Sequence, residues 1–334
     1  MTDRTAHLAA WLTETCPHRP FTLAPASSDA SFRSYWRATF ADGDTAIVMD
    51  APPAHEDCRP FVAMAQLFAE AGLHVPTVRA QQLEQGFLLL DDLGHTPYLT
   101  ALTLAPECAD GLYRDALAAL VTLQAASRPD CLPDYDEALL TRELQLFPDW
   151  FASRHREKAF GVKEREVWHA AKTLLLDNIL AQPKVFVHRD YHSRNLMVVA
   201  PNPGVLDFQD AVYGPITYDL VSLLKDAYMP LPEDEILDRV VRYWQLARQA
   251  GLPVPADIDT FYRDFEWMGV QRHLKVLGIF ARLYHRDGKD GYLQNMPLVV
   301  EHLKRTCKRY TELLPLGRLI QKLTGDDFRY EPST

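Results

Sequence analysis

Nowhere in the 334 residues do about 18 apolar positions run together, so the sequence offers no membrane-spanning helix. The opening segment, MTDRTAHLAAWLTETCP, carries acidic residues and no apolar run of signal-peptide length, and a cytoplasmic location is expected. Cysteine is scarce. Cys16, Cys58, Cys108, Cys131 and Cys307 are scattered and never form a C-x-x-C pair, which argues against a disulfide framework and a zinc site. Basic charge is also short, with 35 Lys and Arg against 45 Asp and Glu and a net charge of −10. Nucleic acid or an anionic membrane needs a basic face, so neither is an expected partner. Internal repeats and low-complexity tracts are missing, and no obligate protein partner is indicated.

What is present reads as a small sheet followed by helices. Ala6, Leu8, Trp11 and Leu12 share one helical face within Asp3–Thr15, which Pro17 ends. Strand-like runs at 21–24, 35–40 and 45–50 are separated by a turn-rich loop at 27–32 and by Asp42-Gly43-Asp44, the opening of an antiparallel sheet. Residues 58–72 place Phe61, Met64, Leu67 and Phe68 on one helical stripe. A hairpin over 75–83 and 86–90 then runs into Asp91-Asp92-Leu93-Gly94. Beyond Pro97 the apolar spacing turns helical, over 109–126, 137–151, 162–180, 219–228, 233–250, 257–285 and 291–310. The polar tail, 326–334, is expected to be loosely held.

Chemistry concentrates in KVFVHRDYHSRNLMVVAPNPGVLDFQDAVYGPITYD, residues 184–219. Apolar runs alternate with turn residues, so the segment reads as a hairpin whose ends carry Asp190, Asn195 and Asp207. Phosphoryl transfer needs such a set. One carboxylate orients a hydroxyl and takes its proton, while an amide oxygen and a second carboxylate hold the cations that neutralise phosphates. A lone Asp in a polar turn has no such role, but here several functional types recur in order at strand ends.

The pattern H-R-D-x4-N followed by D-F-x resembles the catalytic loop and metal motif of the protein-kinase-like superfamily. The resemblance implies an α+β, bilobal fold, with a nucleotide-covering antiparallel sheet lobe over 1–93 and a helical lobe over 94–334 that carries the catalytic loop, metal site and substrate cleft. It also implies Asp190 as the base, Asn195 and Asp207 as Mg²⁺ ligands, and His188 and Asp219 as structural support. Asp219 is in addition a candidate helix N-cap. ATP phosphates would lie against the first hairpin through Ser28, Ser31, Phe32 and Arg33, and adenine against the Asp91–Leu93 hinge. One departure stands out: the third strand, Thr45–Asp50, has no lysine where such kinases place one. Arg33 or Arg37 is a candidate replacement.

Asp207 and Asp219 lie only 219 − 207 = 12 residues apart, and no A-P-E sequence occurs, so a peptide-binding activation segment has no room. What remains resembles the superfamily's small-molecule branch, the aminoglycoside phosphotransferase-like family. Within it the combination of Asp29-Ala30-Ser31-Phe32-Arg33, Met49-Asp50-Ala51-Pro52-Pro53, Gly86 to Gly94, His188 to Met197 and Gln271 to Gly278 is similar to the anomeric amino-sugar kinases of bacterial cell-wall recycling. That resemblance covers nearly the whole chain. It implies ATP- and Mg²⁺-dependent phosphorylation of the C1 hydroxyl of N-acetylmuramate and N-acetylglucosamine. His192, Arg194, Gln209 and Asp210 flank the catalytic residues and are candidate sugar contacts. Arg272 and Lys275, three apart on a helix expected to face the cleft with Glu266, Gln271 and His273, are candidate cations for muramate's carboxylate. A choline-like or aminoglycoside acceptor, and a nucleotide-binding scaffold without catalysis, stay open as alternatives.

Overall fold

The computed structural model describes residues 3–28 and 32–325. The chain sorts into two compact units, one of Met1–Leu104 with Asn195–Asp210, the other of Ala105–Arg194 with Ala211–Thr334. The sequence placed the divide after residue 93 and the whole catalytic segment beyond it. By contacts the divide falls after Leu104, and the segment from Asn195 to Asp210 packs with the first unit.

The first unit is built on an antiparallel sheet of β1 (Phe21–Ser28), β2 (Ser34–Phe40), β3 (Thr45–Asp50), β4 (Val78–Gln82) and β5 (Phe87–Asp91), in the order β1-β2-β3-β5-β4. Period-2 alternation buries Ala38, Phe40, Ala46, Val48, Phe87 and Leu89 on one face, where Leu8 and Leu12 of α1 (Asp3–Thr15) complete the core. Gly86, at φ +72°, turns the β4–β5 hairpin so close to Ala51 that an added Cβ would lie 1.8 Å from the Ala51 carbonyl oxygen. α2 (Arg59–Glu70) carries Pro60 in its first turn and buries Phe61, Ala65, Leu67 and Phe68, and α3 (Tyr98–Leu104) is a short helix that apolar spacing left unmarked.

Helices make up most of the second unit: α4 (Ala109–Ala125), α5 (Glu137–Leu144), α6 (Val162–Ala181), α7 (Tyr218–Leu224), α8 (Glu233–Gln249), α9 (Ile258–Asp287), α10 (Met296–Arg309) and α11 (Leu314–Thr324). The helix expected over 137–151 breaks. α5 ends at Leu144 and a π-helical stretch, Phe147–His155, follows, because Pro148 lacks the N–H that would continue an α ladder. α9 is the long central element and is buried almost continuously from Phe265 to Gly278. Gly278 permits its closest contact, since a Cβ there would lie 2.5 Å from Leu146. All five cysteines are free, and among the described residues no helix is long and apolar enough to cross a membrane. The 326–334 tail lies outside the described residues.

Candidate active site

Asp190 follows a strand and one strained residue. Lys184–Val187 pairs antiparallel with Val212–Pro215, Val187 opposite Val212, and delivers the chain into His188-Arg189-Asp190. Arg189 has φ 77°, the left-handed region, which costs a residue with a Cβ about 1–2 kcal/mol. Asp219 holds it there. It lies fully buried in the first turn of α7 and accepts the N–H of His188 at 2.6 Å and of Arg189 at 3.0 Å. The N-cap position of the helix is Thr217, so the Asp219 carboxylate braces the loop and does not cap the helix. Burial nonetheless raises its carboxyl, to about 7. The Asp190 N–H donates to His188 Nδ1 at 3.2 Å, which fixes the His188 proton on Nε2.

The Arg189 side chain is held from the other side. Its Nη2 donates to Glu143 Oε1 at 2.5 Å, and Lys275 Nζ reaches the same oxygen at 2.9 Å. Tyr135 Oη also donates to Glu143, and Gln271 Nε2 does so at 3.3 Å. Burial opposes ionisation of Glu143, but Lys275 and Arg189 outweigh it and hold the carboxyl below its usual range. Arg272 donates to the Arg189 carbonyl at 3.1 Å and to Tyr218 Oη at 3.2 Å, and its Nη2 lies 3.9 Å from Asp190 Oδ1. Asp190 keeps 43 % of its side chain exposed. Burial works against its charge, yet Arg272 and then Lys275 prevail and hold the carboxyl at about 2. The group is therefore an anion open to solvent on one side, aimed by cations on the other. Glu266, Gln271, Arg272, His273 and Lys275 are all buried, so this part of α9 presents no solvated face.

Beyond Asp190 the loop is anchored by Asp226, buried, which accepts the Ser193 N–H at 3.1 Å. His192 is buried in a T-shaped arrangement with Tyr228, centroids 5.4 Å apart, and burial lowers its pKa. Arg194 is exposed, with its guanidinium 4.7 Å from the Tyr228 ring centre.

Asn195 and Asp207 belong to the first unit, at the two ends of a minimal ladder in which Leu196–Met197 pairs with Gly204–Val205. The Leu206 N–H returns to the Asn195 carbonyl at 2.9 Å, and Asn195 Nδ2 lies 3.3 Å from Asp207 Oδ2. Asp207 is the second strained residue, at φ 65°. Its neighbour Phe208 anchors it, fully buried with ring centroids 5.0 Å from Phe61 and 5.7 Å from Phe68 of α2. Gln209 Nε2 donates to Asp207 Oδ1 at 2.9 Å, while Asp210 is exposed. An amide and a carboxylate oxygen fit Mg²⁺, which takes few protein ligands and completes its shell with phosphates and water. Among the described residues no group of three or more His, Cys, Asp or Glu is arranged as a metal cage.

Of the expected nucleotide contacts, Ser31 lies outside the described residues and Ser28 ends β1. Phe32 is 65 % exposed and stacks on His55 at 4.5 Å. Asp91, ending β5, accepts Arg79 Nε at 2.6 Å, and Leu93 is buried. Arg33 is half-buried beside β2. Arg37 takes Asp92 with two nitrogens, at 2.6 and 3.0 Å, and the Gly94 carbonyl at 2.8 Å. It thus rigidifies the segment expected to meet adenine, and its charge is already matched.

A carboxylate aimed by cations, in one unit, and an oxygen-ligand pair, in the other, are the equipment of a phosphoryl-transfer enzyme. The comparisons agree. A family model described as "Phosphotransferase enzyme family" matches residues 22–290, and the chain belongs to that family. It is 49% identical to an N-acetylmuramate/N-acetylglucosamine kinase of Neisseria meningitidis serogroup B, covering 97% of each chain. It is 52% identical to a protein of the same description from Pseudomonas aeruginosa, over 91% of this chain and 89% of that one. In structure it is similar to choline kinase from Cryptosporidium parvum, with TM-score 0.64 and 9% identity over 95% of this chain and 99% of that one, a likeness of fold alone.

Sequence reasoning did not mark Glu143, Tyr218 or Asp226. Glu143 left a trace: it stands three after Leu140 and four before Phe147, a charge on an apolar stripe. Tyr218 and Asp226 left none, being ordinary residues beside an apolar helix.

Proposed function

We propose that the protein is an ATP-dependent kinase that phosphorylates the C1 hydroxyl of N-acetylmuramate and N-acetylglucosamine. The observation that carries the substrate is the identity of about half of all residues, over nearly the full chain, to kinases described by those two sugars. The loop geometry supports the chemistry. Asp190 accepts a hydrogen bond from the anomeric hydroxyl, orients its oxygen toward the γ-phosphorus and takes the proton as the new P–O bond forms. Its low pKa fits a base that acts late, as an acceptor for a proton released when the hydroxyl is already reacting. Arg272 positions Asp190 from behind and keeps it anionic. Lys275, turned into Glu143 and the Tyr218 hydroxyl, has a structural role in this scheme. Asn195 and Asp207 would hold Mg²⁺, which when bound neutralises the phosphate oxygens. Intracellular ATP as donor places the reaction in the cytoplasm.

The test is ATP consumption by the full-length protein with N-acetylmuramate, N-acetylglucosamine, glucose, choline or kanamycin, with Mg²⁺ and after chelation. Phosphate at C1 of the two N-acetyl sugars, lost on chelation, is expected. Turnover confined to choline or kanamycin would refute the sugar assignment. Asp190→Asn should lower kcat by roughly 10²- to 10⁴-fold while ATP binding is kept.

A further inference from the structure

The catalytic loop carries two arginines with opposite fates. Arg189 is committed to the Glu143 carboxylate at 2.5 Å. Arg194, five residues on, is exposed, and among the described residues no carboxylate pairs with it. It lies against aromatic faces instead, 4.7 Å from the ring centre of Tyr228 and 6.0 Å from that of Tyr292. The ring and the side-chain hydrogen bond that Arg194 makes to Tyr228 hold the guanidinium in place without neutralising its charge, which leaves it able to receive an anion through its remaining N–H donors. The rings are themselves fixed. Phe280 of α9 packs on both, with centroids 6.3 Å from Tyr228 and 5.2 Å from Tyr292. Between the base and this cation in the chain stands His192, whose backbone N–H bonds the Asp190 carbonyl at 3.0 Å. Its Nδ1 is buried without a hydrogen-bond partner among the described residues.

A cation left unpaired on rigid aromatic supports, a few residues from the base, is a receptor for an anion on the acceptor substrate. The two sugars of the proposed reaction differ by one group, the lactyl ether whose carboxylate only N-acetylmuramate carries. Arg272 and Lys275, the cations first expected to meet that carboxylate, are buried and matched by Tyr218, Glu143 and the loop itself. Resting on the sugar-kinase reading, we propose that Arg194, held by Tyr228 and Tyr292, binds the lactyl carboxylate and sets the preference for N-acetylmuramate over N-acetylglucosamine. The tyrosine rings supply the apolar wall against which a sugar face or the lactyl methyl packs.

The experiment compares kcat/KM of the full-length protein for the two sugars in wild type, Arg194→Met, Arg194→Lys and Tyr292→Leu. Arg194 is exposed, so these changes leave the fold intact, which the melting temperature checks. In Arg194→Met the ratio of kcat/KM for N-acetylmuramate to that for N-acetylglucosamine should fall roughly 10- to 100-fold, the worth of one charge-assisted hydrogen bond. The loss should appear mainly in KM. Arg194→Lys should recover part of it, and Tyr292→Leu should show a smaller fall in the same direction. An unchanged ratio, or equal losses on both sugars, overturns the assignment while the sugar-kinase reading stands. A wild-type protein inert toward both sugars brings down that reading and this inference together.

Discussion

Helix α9 contributes to two charge clusters, each built on a buried glutamate that receives a lysine and an arginine, and they serve different ends. In one, Glu143 of α5 receives Lys275 and Arg189. In the other, Glu266 of α9 receives Lys225 at 3.1 Å and also Arg309. Each is a buried glutamate with two cations. The difference lies in what the second cation belongs to. Arg189 is the residue before the base, already held at a left-handed φ, so any slackening of Glu143 is passed to Asp190. Arg309 ends α10, and its cluster joins three helices with no catalytic group among its partners. The electrostatics follow suit. Burial pulls against Lys275, but Glu143 raises its pKa overall, whereas burial wins at Lys225 and lowers it. The same kinds of partner therefore make a firm ionic clamp under the catalytic loop and, where the arginine is exposed and shared with Glu233, a looser helix junction elsewhere.

The comparison breaks most visibly through Glu143→Gln. Its near-isosteric amide keeps the shape but leaves Arg189 and Lys275 without a counter-charge. We expect kcat to fall on the order of 10²-fold with KM for both substrates little changed, since a slightly displaced base costs that much. The fall should be shared by Arg189→Gln, and the double variant should lose little more than either single one, because both cut the same connection. A Glu143→Gln enzyme with wild-type kcat would end the distinction between the clusters.

Glu266→Gln is the counterpart. Removing one member of a buried ion pair costs about 3–5 kcal/mol, because the remaining charge stays buried. Its stability loss, read by denaturant unfolding, should therefore match or exceed that of Glu143→Gln, while kcat of the folded enzyme stays within about twofold of wild type. Arg272→Met should give a smaller, more specific effect. Without the guanidinium 3.9 Å away, Asp190 loses the strongest influence holding it at about 2, and the acid limb of the kcat profile should move to higher pH. An unmoved limb would separate Arg272 from the base.

How much of this was legible beforehand depended on whether a signal was local. Asp190, Asn195 and Asp207 are a motif with fixed spacing. Helices such as Asp3–Thr15 and α4 announce themselves by periodicity, and the β2–β3 turn by Asp42-Gly43-Asp44. Ionic partners are not local. Glu143 and Lys275 are separated by 132 residues (275 − 143), so nothing near either one states that they meet. For the same reason a charged stripe on α9 read as a cleft face, whereas the side chains turn into the protein and find counter-charges. The π-helical stretch was partly legible, as Pro148 inside an otherwise periodic run. The assignment of Asn195–Asp210 to the first unit was not, because it rests on Phe208 entering a pocket of α2 residues far away in sequence.

The junction around Glu266 holds one more group, and it gives the smallest expected effect. His273 Nε2 donates to the Lys225 carbonyl at 2.9 Å, and its ring stacks on His302 with centroids 4.9 Å apart. Burial, with Lys225 and Arg272 nearby, lowers the His273 pKa to about 3. Unfolded, the same imidazole titrates near about 6.5. The sign follows: above about 6.5 both states are neutral and the contribution is complete. Below that value the unfolded chain takes up a proton the folded protein refuses, so stability falls by about 1.4 kcal/mol per pH unit until the folded pKa is approached. His302 is pushed down in the same way and steepens the slope. His273→Gln, which retains a donor for the Lys225 carbonyl, should remove one proton's share, so that denaturant unfolding between pH 6.5 and 5 depends less on pH than in wild type. Equal slopes would mean that His273 is protonated within the fold. The junction would then hold a third cation beside Lys225 and Arg309, and its contrast with the neatly balanced clamp under Asp190 would have to be redrawn.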